Sequence, residues 1–289
     1  MSGKRARIFG EVLFDHFPNG ERVLGGAPFN VAWHLHAFGQ APLFTSRIGN
    51  DPDGTSITTA MREWGMDTSE LQIDPALATG RVDVTIRSGE PNYDILSPCA
   101  WDAIDPPARR GKISLLYHGT LALREAQSRS ALEHLRKDNP PLVFVDVNLR
   151  APWWQREAAR ESLRGAHWVK LSADELGELG APALDAAGFL REYALQGLIV
   201  THGARGAELF SATGERRQVR PSSAAVVDTV GAGDAFAAVM ILGLLEQWPH
   251  ELALQRAQSF ASAIVGVRGA TVSDRAFYRP FVDAWINTN

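Results

Sequence analysis

The chain has 289 residues, 45% hydrophobic and 21% charged, a composition that supports an apolar core without metals or disulfides. A formal net charge of -4 offers no basic surface for a phosphate backbone, so we expect no nucleic-acid partner. The single cysteine, Cys99, excludes an internal disulfide and a multi-cysteine zinc site, and it suits a reducing compartment, so we expect a cytoplasmic protein.

Short apolar runs alternate along the chain with stretches of helical spacing. Val31, Leu35 and Phe38 follow the i, i+4, i+7 rule of one helix face, and Leu132 with Leu135 forms a similar stripe. The alternation predicts an α/β fold with a mostly parallel, covered sheet. The runs that predict its strands are 43–48, 115–117, 142–147, 168–171 and 198–200.

Two segments break this alternation and predict a small separate sheet, which we call the lid. Segment 11–24 contains the turn signal Pro18-Asn19-Gly20, and segment 79–101 begins with strict alternation. We expect these lid strands to be inserted in a single domain spanning 1–289. In the alternating part, Val82, Val84 and Ile86 occupy one side, and Arg81, Asp83, Thr85 and Arg87 occupy the side that we expect to face outward.

The longest apolar run, 235–245, is well short of the roughly 20 residues that span a bilayer. It predicts a helix buried in the protein core. The first residues are basic, but Glu11 and Asp15 follow closely and interrupt any apolar signal region. We therefore expect neither secretion nor membrane insertion.

The segment DTVGAGD (228–234), placed directly before this helix, carries the clearest chemical signal. Gly231 and Gly233, on either side of Ala232, remove side chains where the backbone turns into the helix and leave N–H groups free at its positive end. Such a helix start favours a bound phosphoryl group. Asp234 would then accept a proton from an attacking hydroxyl, although aspartate also commonly caps helices.

Other nucleotide motifs are excluded by spacing, because the segment lacks the third glycine of a dinucleotide fingerprint and no Gly-x-x-x-x-Gly-Lys occurs. The chain has four lysines, at positions 4, 112, 137 and 170, so we expect arginine to supply most of the positive charge in a cleft. Arg150 is one candidate.

An earlier segment, GGAPFN (25–30), opens the first long helix, where Gly25 and Gly26 allow close approach of a ligand and Asn30 offers a donor and an acceptor to a polyol. An ordinary helix entry is the alternative.

Taken together, two signatures resemble those of the ribokinase-like PfkB family of carbohydrate kinases, and of its fructokinase branch in particular. The first is GGAPFNVA (25–32) followed by RIGND (47–51) and Gly54, and the second, more specific one is DTVGAGDAF (228–236). The resemblance extends over about 8–271. It implies a doubly wound sheet with helices on both faces, a β-sheet lid that often forms a dimer interface, and γ-phosphoryl transfer from MgATP to a sugar hydroxyl.

The resemblance also assigns roles to further residues. Asp15 matches an acid that binds sugar hydroxyls, with an exposed loop acid as the alternative. Arg150 follows a predicted strand end, where open α/β sheets place ligands, and would face the cleft and meet phosphate. Thr201, Gly203 and Gly206 resemble the family's nucleotide loop, although a hairpin turn fits the same pattern.

One departure from the family concerns magnesium. Ser172 stands where the family usually has asparagine, whereas Glu175 is kept and would act on Mg2+ through coordinated waters. Ser172 would still reach a water or phosphate. Asp228 either helps to hold a monovalent cation such as K+ or caps its loop, and Gln258 lies either near adenine or on a solvated helix face.

Several functions fit these features. Fructokinase is the leading interpretation, and a kinase of the same fold for 2-keto-3-deoxygluconate or another sugar acid is the nearest alternative, which a lid arginine facing inward would favour. A nucleoside kinase is a further alternative, but the resemblance to fructokinases over residues 10–30 argues against it. A regulator that binds sugar or nucleotide without catalysis has no need for a base at Asp234. Because the lid has edge strands, we expect a homodimer formed through it.

Overall fold

The structure, a computed structural model, describes residues 4–87, 90–108, 112–180, 185–221 and 226–286. Its strands are β1 Ala6–Phe9, β2 Leu13–His16, β3 Arg22–Gly25, β4 Leu43–Gly49, β5 Leu71–Asp74, β6 Gly80–Arg87, β7 Glu90–Ile95, β8 Leu115–His118, β9 Val143–Asp146, β10 Trp168–Ser172, β11 Gly197–Thr201, β12 Ala207–Ser211 and β13 Arg216–Val219. Its α-helices are α1 Ala27–Ala37, α2 Pro52–Trp64, α3 Ala126–Arg136, α4 Arg156–Ser162, α5 Ala173–Leu179, α6 Ala186–Glu192, α7 Ala232–Glu246, α8 His250–Val265 and α9 Arg275–Trp285.

Within the described residues, nine strands form the main sheet, in the order β13-β12-β11-β10-β9-β8-β1-β4-β5. The seven strands from β11 to β5 pair in parallel, and β12 and β13 add an antiparallel edge. The strand order reverses between β1 and β8, and open α/β sheets bind ligands outside the carboxyl ends of the strands at such a point. The predicted mostly parallel sheet is confirmed.

Helices cover both faces of this sheet, as a doubly wound fold requires. One face packs Ile8, Phe44 and Phe144 against the helices α1, α2, α7, α8 and α9. The opposite face packs Val145, Val169 and neighbouring side chains against α3, α4, α5 and α6. Because successive side chains of a strand point to opposite faces, each buried strand contributes to both layers.

Helix α7 is the central helix of the first layer. Its residues from Ala235 to Gly243 are all buried, and it packs against α1 and α8. A helix that is apolar on all sides belongs in a core, so the prediction for 235–245 is confirmed. Among the helices of the described ranges, none combines the length and the apolar composition needed to cross a bilayer.

The separate small sheet is also confirmed, with the strand order β3-β2-β6-β7. Val82 and Val84 lie on its buried side, while Arg81 alternates with them and pairs with Asp83 at 2.9 Å. Residues 88 and 89 of the predicted lid segment lie outside the described residues, as do the side chains of Ile86 and Arg87. The lid therefore presents one apolar face toward the rest of the molecule.

A buried ion pair joins the strands at the β5 end of the sheet. Arg7 on β1 is 1% exposed, and its guanidinium donates to both carboxylate oxygens of Glu70, at 3.0 and 2.6 Å. The hydroxyl of Thr45 on β4 also donates to Glu70. One carboxylate therefore ties β1, β4 and the start of β5 together.

We predict that Glu70→Ala lowers the free energy of unfolding by about 3 to 5 kcal/mol, because it leaves the Arg7 guanidinium buried without a counter-charge. Urea denaturation followed by circular dichroism measures the change. The control Glu63→Ala removes an exposed carboxylate from α2 and should stay within about 0.5 kcal/mol of the wild type. Equal effects of the two substitutions would contradict this account of the pair.

Candidate active site

A cleft of about 730 Å³ lies between the lid and the carboxyl ends of the central strands. Its floor is formed by residues that follow or end β1, β9 and β10, and its far side by the start of α7. The lid contributes its inner face. The lining includes Glu11, Asp15, Asn30, Asp146, Arg150, Lys170, Asp228, Asp234 and Arg268, and, from the lid, Leu13, Val82, Tyr93 and Ile95.

Asp234 occupies the first turn of α7 and faces this cleft. Its Oδ2 accepts a 2.7 Å hydrogen bond from the Nδ2 of Asn30 on α1. Burial raises the pKa of Asp234, while the Asn30 hydrogen bond and the charges of Lys170 and Arg150 oppose the rise. The two signature segments thus meet directly, although 204 positions separate these two residues.

The start of α7 is open to an anion. The N-cap Gly231 has φ 78 and offers no side-chain cap, so the first-turn N–H groups lack the partner that a capping side chain supplies. A Cβ at Gly231 would lie 2.5 Å from the Cα of Ala270, so backbone conformation and space both require glycine there. Gly231 and Gly233 line the cleft, and the N–H of Ala232 makes only a long contact, 3.4 Å, with the Thr229 carbonyl.

Asp228 fixes the loop that leads into this helix. One oxygen accepts from the N–H of Val230 and the other from the N–H of Gly269, both at 3.0 Å. The side chain therefore caps its loop, which was one of its two interpretations from the sequence. Asp228 also lines the cleft, so its carboxylate charge stands close to the open helix start.

Asp146 and Lys170 form an ion pair on the floor of the cleft that the sequence analysis missed. The Lys170 Nζ donates to both Asp146 oxygens at 2.8 and 2.9 Å, and both residues are buried. Burial raises the pKa of Asp146 to about 6, against the pull of Lys170. Burial alone would lower the pKa of Lys170, but the charge and hydrogen bond of Asp146, together with the charges of Asp234 and Glu175, outweigh burial and raise that pKa. Lys170 is thus one cation of the cleft, beside Arg150 and Arg268, which supply most of its positive charge, as expected.

Glu11, the second residue after β1, is another acid that the sequence analysis did not assign. It is 2% exposed, and its Oε2 has no hydrogen-bond partner. Burial raises its pKa to about 7, the negative charge of Asp234 contributes to the rise, and Arg150 and Arg124 oppose it. A signal was present in the sequence: a charged residue that closely follows the first strand of an open α/β sheet lies at the edge where ligands bind.

Asp15 lies on β2 and is half-buried at the cleft wall, so the interpretation as an exposed loop acid is wrong. Burial raises its pKa to about 6, with Arg150 and His16 opposing. Gly25 and Gly26 lie beside it and line the same wall. Gly26 has φ 109, and a Cβ there would lie 2.7 Å from the Glu11 carbonyl, so glycine lets the first helix begin against the β1 loop.

Two arginines stand at the rim of the cleft. Arg150 is exposed and lines it, as predicted from its place after β9. Arg268, which we had not assigned, forms a 2.7 Å ion pair with Glu21 in the turn between β2 and β3. The pair joins the lid to the loop after α8.

Ser172 ends β10 and Glu175 lies in the first turn of α5, and both are absent from the cleft lining. They form a capping box at the start of α5: the Ser172 hydroxyl accepts from the Glu175 N–H, and the Glu175 Oε2 accepts from the Ser172 N–H at 2.7 Å. The other Glu175 oxygen accepts from the N–H of Leu149 at 2.7 Å. Glu175 therefore orients the loop that carries Arg150.

Four residues predicted to meet the nucleotide are absent from the cleft lining: Thr201, Gly203, Gly206 and Gln258. Thr201, Gly203 and Gly206 form the turn of the β11–β12 hairpin, and a Cβ at Gly206 would lie 1.9 Å from the Val219 carbonyl. The hairpin interpretation therefore describes their geometry. Gln258 is buried on α8, where its Nε2 lies 3.3 Å from the Ser262 hydroxyl, so the solvated-helix interpretation is wrong.

The carboxyl groups that line the cleft do not converge into a metal-binding cluster. Over the described parts of the chain, no three His, Cys, Asp or Glu side chains lie close enough together to hold a metal ion. Mg2+ usually keeps several waters and takes its remaining ligands from one or two carboxylates and from substrate phosphates. A site with few protein ligands, beside an open helix start, fits a magnesium ion that arrives with a nucleotide.

Comparison with known proteins identifies the family of the chain. The model of the pfkB family carbohydrate kinase matches residues 4–276, and the chain therefore belongs to the pfkB family of carbohydrate kinases. A fructokinase from Klebsiella pneumoniae is 30% identical over 266 residues, with 84% of this chain and 85% of that protein covered. The aminoimidazole riboside kinase of Salmonella typhimurium is also 30% identical, over 288 residues, with 91% and 89% covered.

Solved structures share the fold along almost the whole chain. Fructokinase from Xylella fastidiosa, with bound ATP, superimposes with a TM-score of 0.85 at 22% identity and covers 96% of this chain and 99% of its own. A double mutant of the Vibrio cholerae O395 fructokinase, in a form with fructose, ADP and potassium ion bound, has a TM-score of 0.82 at 23% identity, with 96% and 98% covered. The ribokinase-like fold is thus confirmed.

We predict that Glu11 makes the protein less stable as pH rises. Because burial lifts its pKa from 4.5 to about 7, the folded state holds a proton that the unfolded state releases, so stability falls as pH rises between these values. Glu11→Gln should reduce the fall in unfolding free energy between pH 5 and pH 8 by about 2 to 3 kcal/mol.

Urea titrations at the two pH values measure this change. Glu63→Gln, at an exposed position, should leave the pH dependence of the wild type intact. A Glu11→Gln protein whose stability falls with pH as steeply as that of the wild type would refute the assignment.

Proposed function

We propose that this carbohydrate kinase transfers the γ-phosphoryl group of MgATP to a hydroxyl of fructose, with Asp234 as the general base. The observation that carries the proposal is the position of Asp234: it faces the cleft beside an uncapped helix start and is hydrogen-bonded to Asn30 of the other signature. Acceptor and phosphoryl group would meet at this point. We choose fructose as the acceptor because a fructokinase of similar sequence covers most of the chain.

Asp234 would act on the acceptor hydroxyl. Asn30 donates to Oδ2, which orients the carboxylate and leaves Oδ1 free to accept the hydroxyl proton. In phosphoryl transfer the base mainly orients the hydroxyl and removes its proton late, so placement matters more than basicity. The raised pKa of Asp234 favours holding that proton once it has been taken.

Gly231, Ala232 and Gly233 would supply the anion hole. Their N–H groups lie at the positive end of α7, where charge that develops on the transferred group is stabilised. Arg150 would meet the phosphate from the rim, and the Lys170–Asp146 pair would hold a positive charge below it. Asp15, Gly25, Gly26 and Asn30 would bind the sugar on the lid side.

For the nucleotide we propose the remaining predicted residues: Ser172, Thr201, Gly203, Gly206 and Gln258. When bound, MgATP supplies the phosphoryl group, and its metal offsets the phosphate charge. Glu175 would act on that metal through water, since both of its oxygens already accept backbone N–H groups. Asp228 would lie near a monovalent cation; the Vibrio fructokinase was solved with potassium ion.

A second candidate substrate is aminoimidazole riboside, because the kinase named for it is as similar to this chain as the fructokinase is. The sugar-acid alternative has less support, since Arg81 lies on the side opposite Val82, which lines the cleft.

We further propose that the chain forms one domain, that the protein is cytoplasmic, and that it forms a homodimer through the lid. The edge strands of that sheet, β3 and β7, are where a second copy would pair.

We predict that Asp234→Asn lowers kcat by about 100- to 10,000-fold with little change in the KM of ATP, because the substitution keeps the shape of the side chain but removes the proton acceptor. ADP release in the presence of MgATP and fructose measures the rate. Asp174→Asn, at an exposed position of α5, should behave as the wild type. Full activity of the Asp234→Asn protein would eliminate Asp234 as the base.

The substrate is tested with the wild type alone. We expect the highest kcat/KM with fructose in a panel that also contains ribose, aminoimidazole riboside, 2-keto-3-deoxygluconate and nucleosides. A higher value with aminoimidazole riboside would replace fructose as the acceptor and keep the mechanism. The absence of turnover with every compound would overturn the proposed function and favour a binding regulator.

A further inference from the structure

Glu11 stands at the point of the fold where a ligand is most expected. It follows β1 by two positions, and the strand order of the main sheet reverses between β1 and β8. Its carbonyl lies against Gly26, one of the residues proposed to meet the sugar, and the residue itself lines the cleft. Glu11 is therefore on the sugar side of the site.

Two buried oxygens in this part of the cleft lack hydrogen-bond partners. They are Oε2 of Glu11 and Oδ1 of Asn30, and the two residues are only 2% and 4% exposed. Buried polar atoms are nearly always hydrogen-bonded, and leaving one unpaired is costly. A ligand with adjacent hydroxyl groups would satisfy both oxygens.

The charges around Glu11 favour a neutral acid. In the described chain its carboxyl makes no ion pair, unlike Asp146, and five other carboxyl groups line the same cleft. A buried carboxyl without a counter-charge keeps its proton more readily than an exposed one. The titratable and charged groups that face it are Asp15 on β2, Tyr117 on β8, Asp146 on β9, Lys170 on β10, Asp234 on α7, Arg150 after β9 and Arg124 after the turn at Leu121–Leu123.

We propose that Glu11 is a substrate-binding residue that, as an uncharged carboxylic acid, hydrogen-bonds a hydroxyl group of the acceptor sugar. The inference rests on the proposed sugar kinase activity and adds a specificity contact to it.

An uncharged acid differs chemically from its neighbours in the cleft. Ionised Asp15 and Asp234 can only accept hydrogen bonds, whereas a protonated carboxyl donates one and accepts another. Glu11 would donate to the hydroxyl oxygen, while Asn30 Oδ1 would accept from a hydroxyl beside it. A sugar that lacks the hydroxyl at this position would leave both oxygens buried and unpaired, which is the arrangement that gives the strongest discrimination between similar substrates.

Three variants separate hydrogen bonding, charge and shape. Glu11→Gln keeps a donor and an acceptor but cannot ionise, Glu11→Met keeps similar bulk without either, and Glu63→Gln is the exposed control. The measurement is kcat and KM for fructose at saturating MgATP between pH 5.5 and 9, together with the KM of ATP.

We expect the fructose KM of the wild type to rise above about pH 7, by up to about tenfold per pH unit. The fructose KM of Glu11→Gln should stay nearly constant over the same range and lie within about threefold of the wild type at pH 6. Glu11→Met should raise the fructose KM by about 10- to 100-fold at pH 6. The KM of ATP should change in neither variant.

The outcomes are separable. Wild-type turnover with unchanged fructose KM and unchanged pH profile in the Glu11→Gln and Glu11→Met proteins would overturn the role of Glu11 and leave the kinase proposal standing. An equal rise in the KM values of fructose and ATP would make Glu11 a structural residue and also overturn the inference. No turnover in the wild type with any sugar would overturn both proposals.

Discussion

The site depends on the backbone turn at Gly231. A positive φ and the close approach of Ala270 allow no side chain there, and this turn delivers the first turn of α7, with its free N–H groups, to the cleft. Asp234 follows three positions later and reaches Asn30 at the start of the first long helix. Since α7 is buried along most of its length, the proposed base and anion hole are held by the core itself. A site placed on rigid elements keeps its geometry better than one placed on loops.

The second constraint is electrostatic. Glu11, Asp15, Asp146 and Asp234 crowd one cleft, and burial raises the pKa of each. Asp146 alone has a buried cation as direct partner, Lys170. The others face one another across a space that would admit a polyol, whose hydroxyl groups satisfy buried oxygens without adding charge. The same crowding makes the cleft a poor site for a free anion unless a metal ion or arginine accompanies it.

Local pattern predicted most of the fold but less of the site. The apolar runs that became β4, β8, β9, β10 and β11 were recognisable because parallel strands are buried on both faces. β13 was missed because its sequence, RRQV, is polar and lies on an edge. Asp234 and the glycines could be placed at the cleft from the sequence because glycines before a helix have a direct physical meaning, whereas Lys170 looked like any strand lysine until β9 placed Asp146 beside it. The unpaired oxygens of Glu11 and Asn30 could not be predicted from sequence periodicity, because hydrogen-bond partners are set by the tertiary fold.

The ion pair between Glu21 and Arg268 links the two ends of the cleft. Arg268 is the neighbour of Gly269, whose N–H is held by Asp228 at the entrance to the α7 turn. A movement of the lid that separates Glu21 from Arg268 therefore acts on the backbone beside the proposed anion hole. Acceptor and nucleotide need not bind independently. If both bind more tightly when the lid is closed, the acceptor raises the affinity for the nucleotide, and the nucleotide raises the affinity for the acceptor by the same factor.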